Sequence, residues 1–149
     1  MDQQTGAATF PADCARIHRD WHAHAKAGDA EALLALYAED AVLESPLVPV
    51  VLDGETGALR GRDAIRRFLA EGAKRLTRRL THWHRSDTWL TDGARLLVWE
   101  YPHETPDGGQ LDILEVMELE AGLIQAHRIY WGWFGTGLLV RRARGEASL

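Results

Sequence analysis

The sequence predicts an α+β fold of three helices followed by an antiparallel sheet. Up to about Leu76, apolar residues recur three and four positions apart, the period of a helix with one buried face. Beyond Thr77, runs of apolar, β-branched and aromatic residues are separated by Asp92-Gly93, Pro106-Asp107-Gly108-Gly109 and Ala121-Gly122, three hairpin signals in succession. The third lies inside Leu111 to Phe134, where Glu115 and His127 fall among apolar residues that share one face of a strand pair.

Met1 to Thr9 is small and polar with nothing to bury, so residues 1–10 are expected to be a loose tail. Residues 141–149 are expected to be a second tail, at the other end of a single domain, 1–149. Cys14, Ile17, Trp21 and Ala25 mark one face of a helix that starts near Pro11 or Ala12 and stops at Gly28. Asp29 then caps a second helix with Leu33, Leu36 and Tyr37 as its apolar stripe, ended by Glu39-Asp40. Ala41 to Pro46 reads as a short strand. Pro46 to Arg60, with two glycines and two prolines, reads as a loop of lid length. Gly61-Arg62-Asp63 opens a third helix carrying Ile65, Phe68, Leu69 and Leu76.

Turn chemistry then sets which side chains face each other. A three-residue loop, Glu120-Ala121-Gly122, places Leu119 opposite Leu123, Met117 opposite Gln125 and Glu115 opposite His127. Leu111, Ile113, Met117, Ile129, Trp131 and Trp133 share their face. A type I turn at Pro106-Asp107-Gly108 puts Trp99 opposite Glu115, Tyr101 opposite Ile113 and His103 opposite Leu111. Two registers stay open for the first strand. A two-residue Asp92-Gly93 loop turns His82, His84 and Ser86 inward, whereas a Thr91-Asp92-Gly93 loop turns Trp83, Asp87 and Trp89 inward. The outer face of the last hairpin carries Leu114, Val116, Ile124 and Tyr130, apolar enough that a second copy is expected to cover it.

Composition narrows the function classes. A chain of 149 residues, 46% hydrophobic, is long enough for one well-buried core. A net charge of -5 argues against a nucleic-acid partner, and Lys74, Arg75, Arg78 and Arg79 read as a solvated helix end. Cys14 is the one cysteine, which leaves no disulfide framework or thiolate metal cluster and fits a reducing, cytoplasmic setting. No apolar run approaches the ~20 residues of a membrane span.

Three helices followed by a meander, with AGDAEALLALYAEDAVLESP, GRDAIRRFL and the closing EVMELEAGLIQAHRIYWGW, resemble the nuclear transport factor 2-like superfamily. That group includes SnoaL-like polyketide cyclases, steroid isomerases and relatives of scytalone dehydratase. The resemblance spans roughly Asp13 to Phe134. It implies a cystatin-like cone: helices packed in the concave face of a curved sheet, a central, mainly apolar pocket, and often a dimer through the outer sheet face. Relative to the steroid isomerases, Ser45 stands where the proton-shuttling carboxylate belongs and Trp21 where the oxyanion-holding tyrosine belongs. Glu115 matches the second oxyanion donor, and His82 matches the histidine of the dehydratase-like branch. A serine hydroxyl is a poor carbon base and an indole offers a single donor, so steroid isomerisation is not expected.

The candidate catalytic groups are therefore His82, Tyr101, Glu115 and His127. The first and last are possible bases, and the other two orient the base or donate to a developing oxyanion. Trp21, Ser45, His84, Trp99, His103, Ile113, Met117, Ile129 and Trp131 are the expected substrate-binding wall. Six tryptophans suit a hydrophobic ligand, aromatic or polycyclic. His18 and His22, four apart on the first helix, read as exposed. The expected activity is proton transfer on a small hydrophobic molecule, with no cofactor and no metal. A non-catalytic binding protein with the same pocket, or a metal enzyme built on the strand histidines, remains an alternative.

Overall fold

The computed structural model describes residues 5–75, 82–104 and 108–146, with only the backbone at the edges of these ranges, His82 among them. Leu76, Arg78, Arg79 and the side chain of His82 lie outside this description, as do the first residues of the turn at Pro106-Asp107-Gly108. The architecture is α+β, with helices on the concave face of a curved sheet.

Helix α1 (Thr5–Ala27) begins earlier than expected and carries Pro11 within it. Phe10 explains the extension, because it continues the buried stripe of Cys14, Ile17 and Trp21 one turn back. Gly28 adopts the left-handed conformation that ends the helix. Asp29 then accepts from the backbone of Ala32 at 2.9 Å to cap α2 (Ala30–Leu34).

At Tyr37 the chain departs from the helical reading. Strand β1 (Tyr37–Glu44) starts there, not at Ala41, and Tyr37, Ala41 and Leu43 face inward at strand spacing. The expected loop after Pro46 holds a short helix, α3 (Leu47–Leu52), and an edge strand, β2 (Ala58–Arg60). Helix α4 (Arg62–Arg75) follows, as expected, and buries Ile65 and Phe68.

The remaining strands are β3 (His82–Trp83), β4 (Leu90–Thr91), β5 (Leu96–Glu100), β6 (His103–Glu104), β7 (Gln110–Leu111), β8 (Ile113–Glu120) and β9 (Leu123–Trp131). They form a six-stranded sheet, β2-β1-β9-β8-β5-β4, and a three-stranded one, β3-β6-β7. Pro102 has no N–H to give the ladder, so β5 and β6 separate there, while Tyr101 still donates to the Ile113 carbonyl at 3.1 Å. The pairings Trp99 with Glu115 and His103 with Leu111 match the sequence reading. Strand β1 runs parallel to β9, with Leu43 beside His127, and closes the sheet against the N-terminal half.

The last hairpin differs in detail. Its loop has two residues, Ala121 and Gly122, both at positive φ, so Glu120 pairs with Leu123 and Leu119 with Ile124. A bulge at Gln125 then restores parity, so that Met117 pairs with His127 and Glu115 with Ile129. Glu115 and His127 are thus diagonal neighbours on the inner face, not direct partners. The same bulge places Ile124 inward and fully buried, which removes it from the outer face.

The first meander strand resolves in favour of tryptophan. Trp83 pairs with His103 and its ring lies 5.4 Å from that of His103, so Trp83 faces inward, with Trp89 packed against the core; Asp87 is exposed. The Asp92 carboxylate accepts from the backbone of Ala94, Arg95 and Leu96 and builds a longer loop than either turn considered. After Gly132, α5 (Trp133–Ala143) replaces the expected inward Trp133 and overlaps the start of the expected tail; Trp133 is 91% exposed.

Ala121 occupies a left-handed position that costs an L-residue roughly 1 kcal/mol and that asparagine tolerates better. Ala121→Asn is expected to raise unfolding stability by about 0.5–1 kcal/mol in a urea titration. No gain would show that this turn is not limited by its backbone conformation.

Candidate active site

Four ionisable side chains form a continuous buried chain across the sheet. Glu115 from β8 has no solvent exposure, and His127 from β9 is 1% exposed. His127 Nε2 is hydrogen-bonded to Glu115 Oε2, and the Tyr101 hydroxyl donates to Glu115 Oε1. On its other side, His127 Nδ1 meets the Tyr37 hydroxyl at 2.7 Å. When Glu115 is a carboxylate it can only accept, so Nε2 carries a proton and donates to it, and in a neutral ring Nδ1 accepts a hydrogen bond from the Tyr37 hydroxyl.

Both phenols are held protonated. Burial pushes Tyr37 and Tyr101 well above the usual tyrosine range, and the nearby charge of Glu115 pushes the same way. For Tyr101 the hydrogen bond it gives to Glu115 adds to the effect. Trp21 of α1 packs edge-on to Tyr101 at 5.3 Å and hydrogen-bonds Tyr37, which slightly opposes that upward shift.

This chain forms one wall of an apolar cavity of about 210 Å³. Tyr37, Tyr101 and His127 line it and Glu115 lies behind them. Leu33, Leu43, Phe68, Ile113 and Ile129 supply apolar walls, and small residues, Ala25, Gly28, Ala30, Gly72 and Ala73, line it between α1, α2 and α4. Ser45 also lines it; its Oγ accepts from the Leu47 backbone at 3.1 Å and starts α3.

Of the expected wall, Trp21, Ser45, Ile113, Ile129 and Trp131 reach the cavity, and so do the expected catalytic groups Tyr101 and His127. His84, Trp99, His103 and Met117 do not. His84 pairs with Glu104 at 3.4 Å, and Met117 and Trp99 pack in the core. His103 is buried between Trp83 and Tyr101, and among the described residues neither of its ring nitrogens has a partner. His22, expected to be exposed, is buried as well, its Nδ1 donating to the His18 carbonyl. The residue missed by sequence reasoning is Tyr37, which the helical period had claimed; inward spacing with Ala41 and Leu43 was the signal for a strand. Among the described residues no three His, Cys, Asp or Glu side chains are grouped to hold a metal ion.

The sequence signature of the SnoaL-like domain matches residues 18–127. The chain belongs to the SnoaL-like domain family. No curated protein matches the sequence at a significant level. Among solved structures, a provisionally named isomerase from Bacillus subtilis superposes with a TM-score of 0.67 at 21% identity, over 93% of this chain and 96% of its own. An NTF2-like protein of unknown function from Burkholderia pseudomallei gives 0.65 at 16% identity, over 86% and 97%. One from Methylobium petroleophilum with a cystatin-like fold gives 0.61 at 20% identity, over 82% and 77%. At these identities the likeness establishes the fold of this SnoaL-like domain. No helix among the described residues is long and apolar enough to cross a membrane.

The buried imidazoles give the SnoaL-like domain an acid-side weakness. Burial and the neighbouring His84 lower His103 to about 4, while the unfolded chain binds that proton near 6.5. Stability is therefore full above about 6.5 and is lost as the pH falls toward about 4, with burial of His22 acting in the same direction. His103→Phe should flatten that dependence by up to about 1.4 kcal/mol per pH unit, the value of one proton, in urea midpoints compared at pH 7 and pH 5. An unchanged slope would show that His103 is not the group responsible.

Proposed function

We propose that this SnoaL-like domain is an enzyme that moves a proton on a small hydrophobic molecule by general acid and base catalysis. Isomerase, dehydratase, cyclase and epoxide hydrolase chemistry all fall within that class, and the provisional name of the Bacillus subtilis neighbour fits it. The observation that carries the reading is the chain Tyr37–His127–Glu115–Tyr101, three members of which line an apolar cavity.

Both ring nitrogens of His127 are engaged, so the proton reaches substrate through Tyr37. In the acid form, imidazolium Nδ1–H donates to the Tyr37 oxygen while the Tyr37 O–H donates to the substrate. Transfer along both bonds leaves substrate protonated, Tyr37 again a phenol and His127 neutral against the Glu115 carboxylate. The base form runs the same path in reverse. Because Tyr37 is held as a phenol, it serves as a relay and the His127–Glu115 pair stores the proton. Tyr101 and the Trp21 indole fix the geometry from the far ends.

Proton transfer to and from carbon is read as deuterium uptake from heavy water into a bound ligand. Tyr37→Phe removes a single oxygen and is expected to slow uptake about a hundredfold or more, with ligand affinity changed only a few-fold; Glu115→Gln should act alike. Uptake at the same rate in both variants would leave the chain a structural network and the domain a binding protein.

The second element of the proposal is a homodimer through the outer sheet face. Half-buried Leu114 and Val116, and Tyr130 at 54% exposure, are an apolar strip that the described residues leave partly uncovered. Sedimentation at micromolar concentration should give the mass of two chains, and Val116→Glu should give one. A wild-type monomer would reject this assembly.

A further inference from the structure

The cavity carries a pattern of polar groups that the proton chain does not use. Ser45 is buried, and its Oγ already accepts from Leu47, so what it has left to offer is its O–H, which makes no hydrogen bond among the described residues. Trp131 also lines the cavity, and its buried indole N–H has no partner among the described residues. The benzo edge of that indole packs against Gly135 of α5, where even a Cβ would come within 2.6 Å of it, so the opposite edge, carrying Nε1, turns away from α5. An unmatched buried donor destabilises the fold, and a ligand acceptor removes that cost.

Strand register places these donors relative to His127, the ring that holds the Tyr37 hydroxyl. Leu43 pairs with His127 and Glu44 with Arg128, so Ser45 continues alongside Ile129, and Trp131 is the next inward position on β9. Two residues along a strand span roughly 7 Å, about the width of one substituted six-membered ring. One end of the cavity thus exchanges protons and the other offers hydrogen bonds to an acceptor. Among the described residues no Lys, Arg, Asp or Glu lines the space between, so a charged ligand would be buried there without a counter-charge from them. An apolar cavity of about 150 Å³ holds benzene, so the space here takes a ring with a few substituents rather than a fused polycycle.

Resting on the proton-transfer reading, we propose that the ligand is a neutral carbonyl compound of single-ring size. Its carbonyl oxygen accepts from Ser45 and Trp131 while the far side of the ring meets Tyr37. The oxygen acceptor gives orientation, and the apolar walls give affinity without selecting by charge. Ser45 and Trp131 are then specificity-determining residues, in addition to the proton chain.

Titration calorimetry on the intact protein tests this without requiring turnover. The probes are isophorone, a neutral cyclic enone of the right size, with benzoate and testosterone as charged and polycyclic comparators. Isophorone is expected to bind at millimolar concentration or better and ahead of both comparators. Trp131→Phe and Ser45→Ala should each weaken it by about three- to tenfold, the worth of one neutral hydrogen bond. Melting curves confirm that each variant is folded. Tighter binding of benzoate or testosterone, unchanged affinity in both folded variants, or no binding of isophorone would overturn the assignment. Isophorone binding that weakens as expected but without deuterium uptake would support this ligand class while rejecting proton transfer.

Discussion

A carboxyl group with no access to water must be matched by donors from its own fold, and Glu115 is that group here. Its position in the middle strand of the hairpin and meander brings β5 to one side and β9 to the other, and each side contributes one donor, Tyr101 just past the end of β5 and His127 from β9. His127 in turn is satisfied by Tyr37 from the strand beyond it. Four strands are thus tied by one polar thread through an otherwise apolar interior. Replacing the acid alone would strand two donors, so the geometry of the sheet and the chemistry of the site are one arrangement.

Much of this was legible in the sequence because strand faces follow parity. Glu115 and His127 belong to one face whether the hairpin closes with two residues or three, provided a bulge makes up the difference, and the bulge at Gln125 does so. The parity of Trp99, Tyr101 and His103 came from turn residues and holds for the same reason. Tyr37 was not legible. Its neighbours Leu33 and Leu36 repeat at helical spacing, and only the parallel docking of β1 on β9, a contact between distant segments, makes the position a strand. Helix α5 was equally hidden: its aromatic start looks like more strand, and Gly132, which ends β9, gives no directional signal.

The aromatic half of the interior serves a different purpose from the polar thread. Trp21, Trp83, Trp99 and Tyr101 surround His22 and hold it at ring separations of 5.4 to 5.9 Å. In that setting an imidazole behaves as a flat, weakly polar ring, which is how His22 and His103 are tolerated inside. The same residue type is thus used in two ways: as packing on one side of Tyr101, and as a hydrogen-bonded link between an acid and a phenol on the other. The difference lies in the partners, since His127 has an acid and a phenol while His103 has neither.

The bond between Tyr37 and His127 joins residues 90 positions apart. A growing chain therefore holds the phenol for most of its synthesis before the imidazole exists, and the two meet only when the last strand docks beside the first. Such long-range parallel pairing is among the slower steps a small domain takes. The hydrogen-bonded chain from Tyr37 to Tyr101 is consequently absent from every partly folded form in which β9 has not docked, and the wall it gives the cavity is among the last features to form.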